Sequence, residues 1–312
     1  RNGAIFNNLS AGTFDIESNA DLEWDGGSRP TFNNAGSFVK SGGGVTTVAF
    51  AFSNSGTVEA QAGSLQLTGG FTQTDGQTVL SGGALNVTGA GIDLQGGVIA
   101  GAGDIFGNVF NTAGTVAPGG SAGTLGISAT YTQSSGGVLA IELGGTEAGQ
   151  FDVLNVTGDA NLAGTLALGL IGGYDPNYGD SFQVLTAAAV IGVFDTIDGW
   201  RVSNDMSLAT LYHLGDVTVM ATLPGDADAD LDVDLDDLTL LGTFYNTVDG
   251  MSWGNGDFDG DGDVDLDDLT IMGAFYNQAP ELAGSTPLIP EPGTLALLAT
   301  GALALLRRRR KS

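Results

Sequence analysis

The sequence predicts a mainly β chain: a right-handed β-solenoid (β-helix) with a β-rich cap, followed by a small α-helical module and a short C-terminal hydrophobic helix. Three observations predict it. Phrases recur at intervals near twenty residues, short strands alternate apolar and polar positions between glycines, and an acidic loop with an apolar exit helix is written twice. The chain divides into 1–117, solenoid repeats; 118–223, β-rich C-terminal coils and cap; 224–279, the paired acidic loops; 280–289, a linker; and 290–312, the tail.

The repeats come first. Phe6-Asn-Asn-Leu-Ser-Ala-Gly12-Thr13-Phe14 is echoed by Phe32-Asn-Asn-Ala-Gly36-Ser-Phe38, by Phe52-Ser-Asn-Ser-Gly56-Thr-Val58 and by Phe110-Asn-Thr-Ala-Gly114-Thr-Val116. Phe32 and Phe52 are twenty residues apart, and Phe52 to Phe110 is close to three times that. Phe71-Thr-Gln73 returns as Tyr131-Thr-Gln133 at sixty. A period near twenty is that of one solenoid coil per repeat. Ser64-Leu-Gln-Leu-Thr68 and Ala84-Leu-Asn-Val-Thr88 alternate so as to bury one face. Glycines let the chain turn at the corners, and asparagines at matching places can stack into ladders. Duplicated meanders in a sandwich are the rival arrangement.

From about Ala117 the phrasing changes, through Tyr131-Thr-Gln-Ser-Ser-Gly-Gly-Val-Leu-Ala-Ile141, Phe151-Asp-Val-Leu-Asn-Val-Thr-Gly158, Ala163-Gly-Thr-Leu-Ala-Leu168 and Gly192-Val-Phe-Asp195. Over residues 50–222 this order resembles the C-terminal part of autotransporter passenger domains, which implies completion and capping of a β-helix. No membrane β-barrel segment follows, so the resemblance implies a different export route.

The acidic loops carry the chemistry. In each, aspartate falls on every second residue: Asp226, Asp228, Asp230, Asp232, Asp234 with Asp237, and Asp257, Asp259, Asp261, Asp263, Asp265 with Asp268. Carboxylates this dense repel unless a hard cation sits among them, and the spacing supplies calcium-loop positions 1, 3, 5, 9 and 12, with position 7 giving a backbone carbonyl. Two Ca2+ sites are expected. Position 6, where the turn wants glycine, is Gly262 in the second copy and Leu231 in the first. A branched side chain at positive φ costs roughly 1–2 kcal/mol, so the second site is expected to be the stronger. Leu238, Leu241 and Tyr245, like Leu269, Met272 and Tyr276, fall at helical spacing after each loop. No comparable helix precedes either loop, so each unit is half of an EF-hand.

Two such halves over Gly225–Asn277 resemble the type I dockerin, a calcium-dependent docking module of secreted polysaccharide-degrading systems. The resemblance implies one ion on Asp226, Asp228, Asp230, Asp234 and Asp237, and another on Asp257, Asp259, Asp261, Asp265 and Asp268. Positions 10 and 11 hold Leu235-Asp236 and Leu266-Asp267, where dockerins that engage cohesin carry small hydroxyl residues. Calcium binding is implied; a cohesin partner of the usual kind is not.

The tail reads as an address. Pro290-Glu291-Pro292 precedes the apolar run Thr294–Leu306 and the cluster Arg307-Arg308-Arg309-Arg310. The run reaches only about 20 Å as a helix, short of a full span, although snorkelling arginines and local thinning allow a marginal membrane anchor. These features resemble a PEP-CTERM sorting signal. That implies a bacterial protein exported by Sec, recognised by an exosortase-type processing protease, and delivered to the cell surface or extracellular matrix with a transient or retained anchor. The family also predicts a signal peptide; the chain opens at Arg1 without an initiator Met and reads as a fragment or a processed form.

Composition narrows the function. Nine Lys plus Arg face 36 Asp plus Glu, for a net charge of −27, which excludes a nucleic-acid partner. The absence of cysteine removes disulfides, thiolate metal sites and a cysteine nucleophile. His213, the sole histidine, reads as a partly buried packing residue. Asp15, Glu17, Asp21, Glu23 and Asp25 read as a solvated strand face, while Asp152, Asp159, Asp175 and Asp180 fit turn positions. No catalytic residue is nominated. The leading expectation is a non-enzymatic, calcium-binding surface or matrix protein in adhesion, matrix or protein docking, with a surface protein or polysaccharide as partner. The alternative is a secreted polysaccharide-active enzyme or carbohydrate-binding subunit that uses the acidic module.

Overall fold

Strand register decides between coil and meander. In the computed structural model, which describes residues 3–280, Thr31 lies on Ala51, Phe32 on Phe52 and Asn34 on Asn54, all parallel and offset by the twenty residues of the repeat. A meander would pair neighbours antiparallel. Here each strand instead pairs with its equivalent one coil later. Face 1 stacks Ile5–Asn8, Thr31–Asn34, Ala51–Asn54, Phe71–Gln73, Ile92–Leu94, Val109–Asn111, Tyr131–Gln133, Ala160–Leu162 and Val190–Gly192. Face 2 runs in the same way from Thr13–Ile16 to Thr196–Asp198. Face 3 runs from Val45–Val48 to Ser181–Thr186. The strand Val98–Phe106 serves faces 2 and 3 in turn, bending where Gly101 adopts φ +105°.

Alternation along each strand fills the interior. The rings of Phe6, Phe32 and Phe52 stack, with centroids 4.7 and 5.0 Å apart, each such pair contributing about 0.5–1.5 kcal/mol beyond burial. Beside them runs the expected amide ladder. Asn8 donates to Asn34 (2.8 Å), Asn34 to Asn54 (2.8 Å) and Asn54 to Gln73 (3.2 Å), so buried amides satisfy one another coil by coil. Leu94 occupies the next rung. A second polar group follows, with the Tyr131 hydroxyl donating to Gln133 (2.5 Å).

One repeat equivalence is corrected. Phe110 does not take the place of Phe52. Val109 fills that inward position, and Phe110 pairs with Asp93 on the outer side, 37% exposed. The cause is the turn. Asn54 is followed by the next strand at Thr57, whereas Asn111 is followed by it only at Thr115. The extra residue lets the Gly-Thr-Val phrase match while the phenylalanine slips by one.

Parallel stacking continues through residues 118–198. It is then closed by an antiparallel hairpin, Ser207–Tyr212 with Asp216–Thr222, the latter paired to Ser181–Thr186. Beyond it lie two helices, α1 (Leu235–Phe244) and α2 (Leu266–Phe275). They begin three residues before the expected apolar stretches because Asp234 and Asp265 cap them. In each, the position-12 aspartate returns a bond to the capping residue's N–H, completing a capping box. A 3-10 turn, Trp253–Asn255, precedes the second loop. No helix among the described residues is long and apolar enough to cross a membrane. The expected helix at Thr294–Leu306, with Pro290, Glu291, Pro292 and Arg307 to Arg310, lies outside the described residues.

Candidate metal centre

The two acidic loops fold alike because the same residues organise them. Asp226 opens the first and is fully buried. Its carboxylate accepts the N–H groups of Asp230 (3.1 Å) and Leu231 (3.0 Å) and the Thr222 hydroxyl. Asp237, at position 12, reaches back to the N–H groups of Ala227 (2.7 Å), Asp228 (3.3 Å) and Asp234 (2.7 Å). The second loop repeats the position-12 bonds one for one, and its position-1 aspartate bonds positions 4 and 6 where the first bonds 5 and 6. Asp257 accepts from Gly260 (2.8 Å) and Gly262 (3.1 Å), and Asp268 from Phe258 (2.7 Å), Asp259 (3.3 Å) and Asp265 (2.8 Å).

The halves are also tied to each other in a pseudo-two-fold way. Val233 of the first loop exchanges backbone bonds with Asn277 (2.7 Å) and Gln278 (2.9 Å) after α2. Val264 of the second does the same with Asn246 (2.7 Å) and Thr247 (2.9 Å) after α1. Gly225 abuts Met272, and Gly256 abuts Leu241. Asn246 and Asn277, at φ +65° and +60°, turn the chain sharply after each helix. The shared interior comprises Leu241, Trp253, Phe258, Val264 and Met272, with Ala209 of the cap hairpin.

Carboxylate oxygens of Asp226, Asp228 and Asp237 lie within 4.8 Å of one another, and so do those of Asp232, Asp234 and Asp237. The second loop gathers Asp257, Asp259 and Asp268, and Asp263, Asp265 and Asp268. Asp230 and Asp261, at position 5, fall outside these groupings. Their carboxylates instead accept the N–H two residues on, at 3.1 Å each.

The electrostatics are those of crowded, partly desolvated anions. Burial pushes Asp226 up to about 6 against the bonds from Thr222 and Leu231, and the charge of Asp237 adds to the rise. Burial, then the charge of Asp268, carries Asp257 to about 7. Burial, then Asp261, carries Asp259 to about 6. Asp228 and Asp268 are raised too, with burial the main cause. The gathered donors are all oxygen, hard and anionic, with neither imidazole nor thiolate among them. That set fits Ca2+ or Mg2+ in preference to softer metals. It relieves its own repulsion once a dication enters.

Backbone conformation separates the two loops. Leu231 adopts φ +75°, as position 6 requires, where the second loop has Gly262 at +92°. Position 4 repeats the contrast, with Ala229 at +61° against Gly260 at +73°. Sequence reading missed this second strained position, although glycine at position 4 of one copy and alanine in the other was the available signal.

Other expectations resolve outside the loops. His213 is not a packing residue. It is exposed in the turn of the cap hairpin, with Nδ1 2.8 Å from Asp216, because the hairpin reverses there and leaves it no core to face. Asp15, Glu17, Asp21, Glu23 and Asp25 are all exposed, with Leu22 and Trp24 between them half-buried. Asp152 is more than a turn residue. It is buried, accepts the N–H groups of Gly123 (2.9 Å) and Glu142 (2.8 Å), and is pushed up by burial to about 6. The described cations have structural partners: Arg29 lies over Trp24 at 4.6 Å, Arg201 over Trp200 at 5.7 Å, and the buried Lys40 donates to the Gly42 carbonyl.

Comparison with known proteins adds one finding. No curated protein matches the chain. A family model described as the PEP-CTERM protein-sorting motif matches residues 288–311. Signals of this kind are processed by exosortase, a membrane protein. Residues 288–311 thus carry a sorting motif that implies export to the cell envelope or surface.

Proposed function

We propose that this chain is a non-enzymatic, calcium-binding protein of the bacterial cell surface or extracellular matrix, displayed by exosortase sorting and serving in adhesion, matrix or protein docking. The observation that carries the reading is the repetition of two aspartate loops, in each of which the position-12 carboxylate makes the same three backbone bonds and belongs to two groups of three carboxylates. Asp226, Asp228, Asp232, Asp234 and Asp237 would hold one ion, and Asp257, Asp259, Asp263, Asp265 and Asp268 the other, with Asp230 and Asp261 turning inward to join them. A bound dication supplies charge neutralisation and cross-linking. The chain's own residues supply the frame: helix caps at Asp234 and Asp265, and the paired segments around Val233 and Val264. Extracellular calcium is commonly millimolar, enough to fill modest sites and stabilise the folded state by mass action. Isothermal titration of the chain with CaCl2 tests the reading, with two binding events expected. No heat and no change in melting temperature between calcium and chelator would refute it.

A second reading, a carbohydrate-binding subunit, draws on a cleft of about 550 Å³ on the outer side of face 1. Ser53, Thr72 and Asp93 line it on successive rungs, beside exposed Phe110. Affinity electrophoresis in gels containing soluble polysaccharides, with Phe110→Ala as comparison, tests it. Retardation of the parent that the variant loses would favour this reading.

A further inference from the structure

The sixth position of each loop, leucine in one copy and glycine in the other, points at the solenoid. In the first loop the Leu231 Cδ1 methyl lies 3.5 Å from where a Cβ on Gly179 would stand, in the turn before the face-3 strand Ser181–Thr186. In the second, Gly262 lies so close to the Asp195 carbonyl that an added Cβ would sit 2.9 Å from it. Gly260 is pressed in the same way against Ile197, whose N–H donates to the Gly260 carbonyl at 3.0 Å. That bond takes the first free donor of face 2's last strand, Thr196–Asp198, and so covers part of an edge that would otherwise stand open.

A leucine at φ +75° is costly in a free loop, yet Leu231 is half-buried and Gly179 opposite it has no side chain. The departure from glycine has a physical use there: it gives the first loop an apolar contact with the solenoid that glycine cannot make. The second loop docks through its backbone instead, and for that it needs glycine at both close approaches.

We propose that Leu231 and the Gly260–Gly262 backbone are positioning contacts that clamp both loops onto the solenoid's own C-terminal edge, so that cation binding in the loops orders that edge. The proposal rests on the calcium reading and deepens it. The carboxylates that gather around an ion are hydrogen-bonded to the same backbone that meets the solenoid: Asp226 accepts from Leu231, and Asp257 from Gly260 and Gly262. Fixing those carboxylates fixes the clamp. The module is then part of the solenoid's cap, not a tethered docking domain.

Hydrogen exchange on the full chain, in CaCl2 and in EGTA, tests this, with calorimetry run in parallel. The reporters are the Ile197 amide, bonded to Gly260, and the Gly179 amide, bonded to the Ala221 carbonyl. Calcium should raise protection at both by about tenfold or more. Leu231→Gly, which relieves the left-handed strain, should still bind calcium but lose most of the calcium-dependent protection at Gly179. Leu231→Asn, which tolerates the same φ without the methyl contact, should behave likewise. Calcium heats with unchanged protection at Ile197 and Gly179 would overturn the clamp while leaving the calcium reading intact. Absence of calcium heats would overturn both. A Leu231→Gly variant with protection at Gly179 equal to the parent would show that the leucine contact contributes nothing.

Discussion

The amide ladder inside face 1 gives a quantitative prediction. Asn34 accepts from Asn8 and donates to Asn54 and to the Gly36 (3.2 Å) and Thr57 (2.9 Å) carbonyls, in an environment 1% exposed. Replacing it by leucine, the residue the chain itself uses on that rung at Leu94, keeps the branched outline and deletes four bonds. At about 1 kcal/mol net per bond the cost is about 4 kcal/mol. Asn54→Leu deletes the bonds from Asn34 and the Gly56 N–H (3.2 Å) and those to Gln73 and to the Gly56 (3.2 Å) and Gln77 (3.3 Å) carbonyls, for about 5 kcal/mol. The two variants share one bond, so the double variant should cost about 8 kcal/mol instead of about 9, a coupling of about 1 kcal/mol. Urea unfolding read by circular dichroism measures this through the midpoint at unchanged slope. Single losses below about 1 kcal/mol, or strict additivity of the pair, would refute the view that the ladder stabilises the coils through mutual satisfaction of amides.

Other outcomes follow from the same geometry. Phe52→Ala should cost about 3–5 kcal/mol, whereas Phe110→Ala, on the outer side, should change stability by less than about 0.5 kcal/mol; the same unfolding assay separates them. Asp152 titrates near 6 when folded and near 3.8 when unfolded, so the folded state holds the extra proton between those values. Its contribution to stability therefore falls as pH rises from about 4 to 6, by on the order of 2 kcal/mol. Asp152→Asn should flatten the difference in melting temperature across that window while lowering it throughout, since one N–H loses its acceptor. Calcium must displace protons from Asp226, Asp257 and Asp259, which are raised to about 6 to 7. Affinity should thus weaken as pH drops below about 7, with proton release at pH 6 visible as buffer-dependent heats. Asp268→Asn should abolish the tighter of the two calorimetric events and Asp237→Asn the weaker, because Leu231 and Ala229 are strained where Gly262 and Gly260 are not.

Much of this was legible in the sequence for reasons that are local. The twenty-residue step from Phe32 to Phe52 is the coil itself, and the acidic loops declare their turns through aspartate and glycine spacing. The helix starts were misplaced because the apolar pattern begins at Leu238 and Leu269, while the start is set by the polar caps before it. Phe110 was misassigned because a one-residue difference in turn length conserves a phrase and shifts its first member. His213 was misread because strand-like neighbours say nothing about which end of a hairpin a residue occupies. The contact of Leu231 with Gly179 joins positions some fifty residues apart, and no periodicity in either segment announces it.

The bonds between Val233 and the segment Asn277–Gln278 have a mechanical consequence. In chain order they lie between the coils and the sorting motif at residues 288–311. If the protein is held through that motif, any pull arriving from the tail strains this two-bond clasp before it reaches a coil. The clasp is seated on the first acidic loop, the one with the strained backbone. The resistance of the protein to such a pull is then set by two backbone bonds beside the first acidic loop, and not by the long stack of coils.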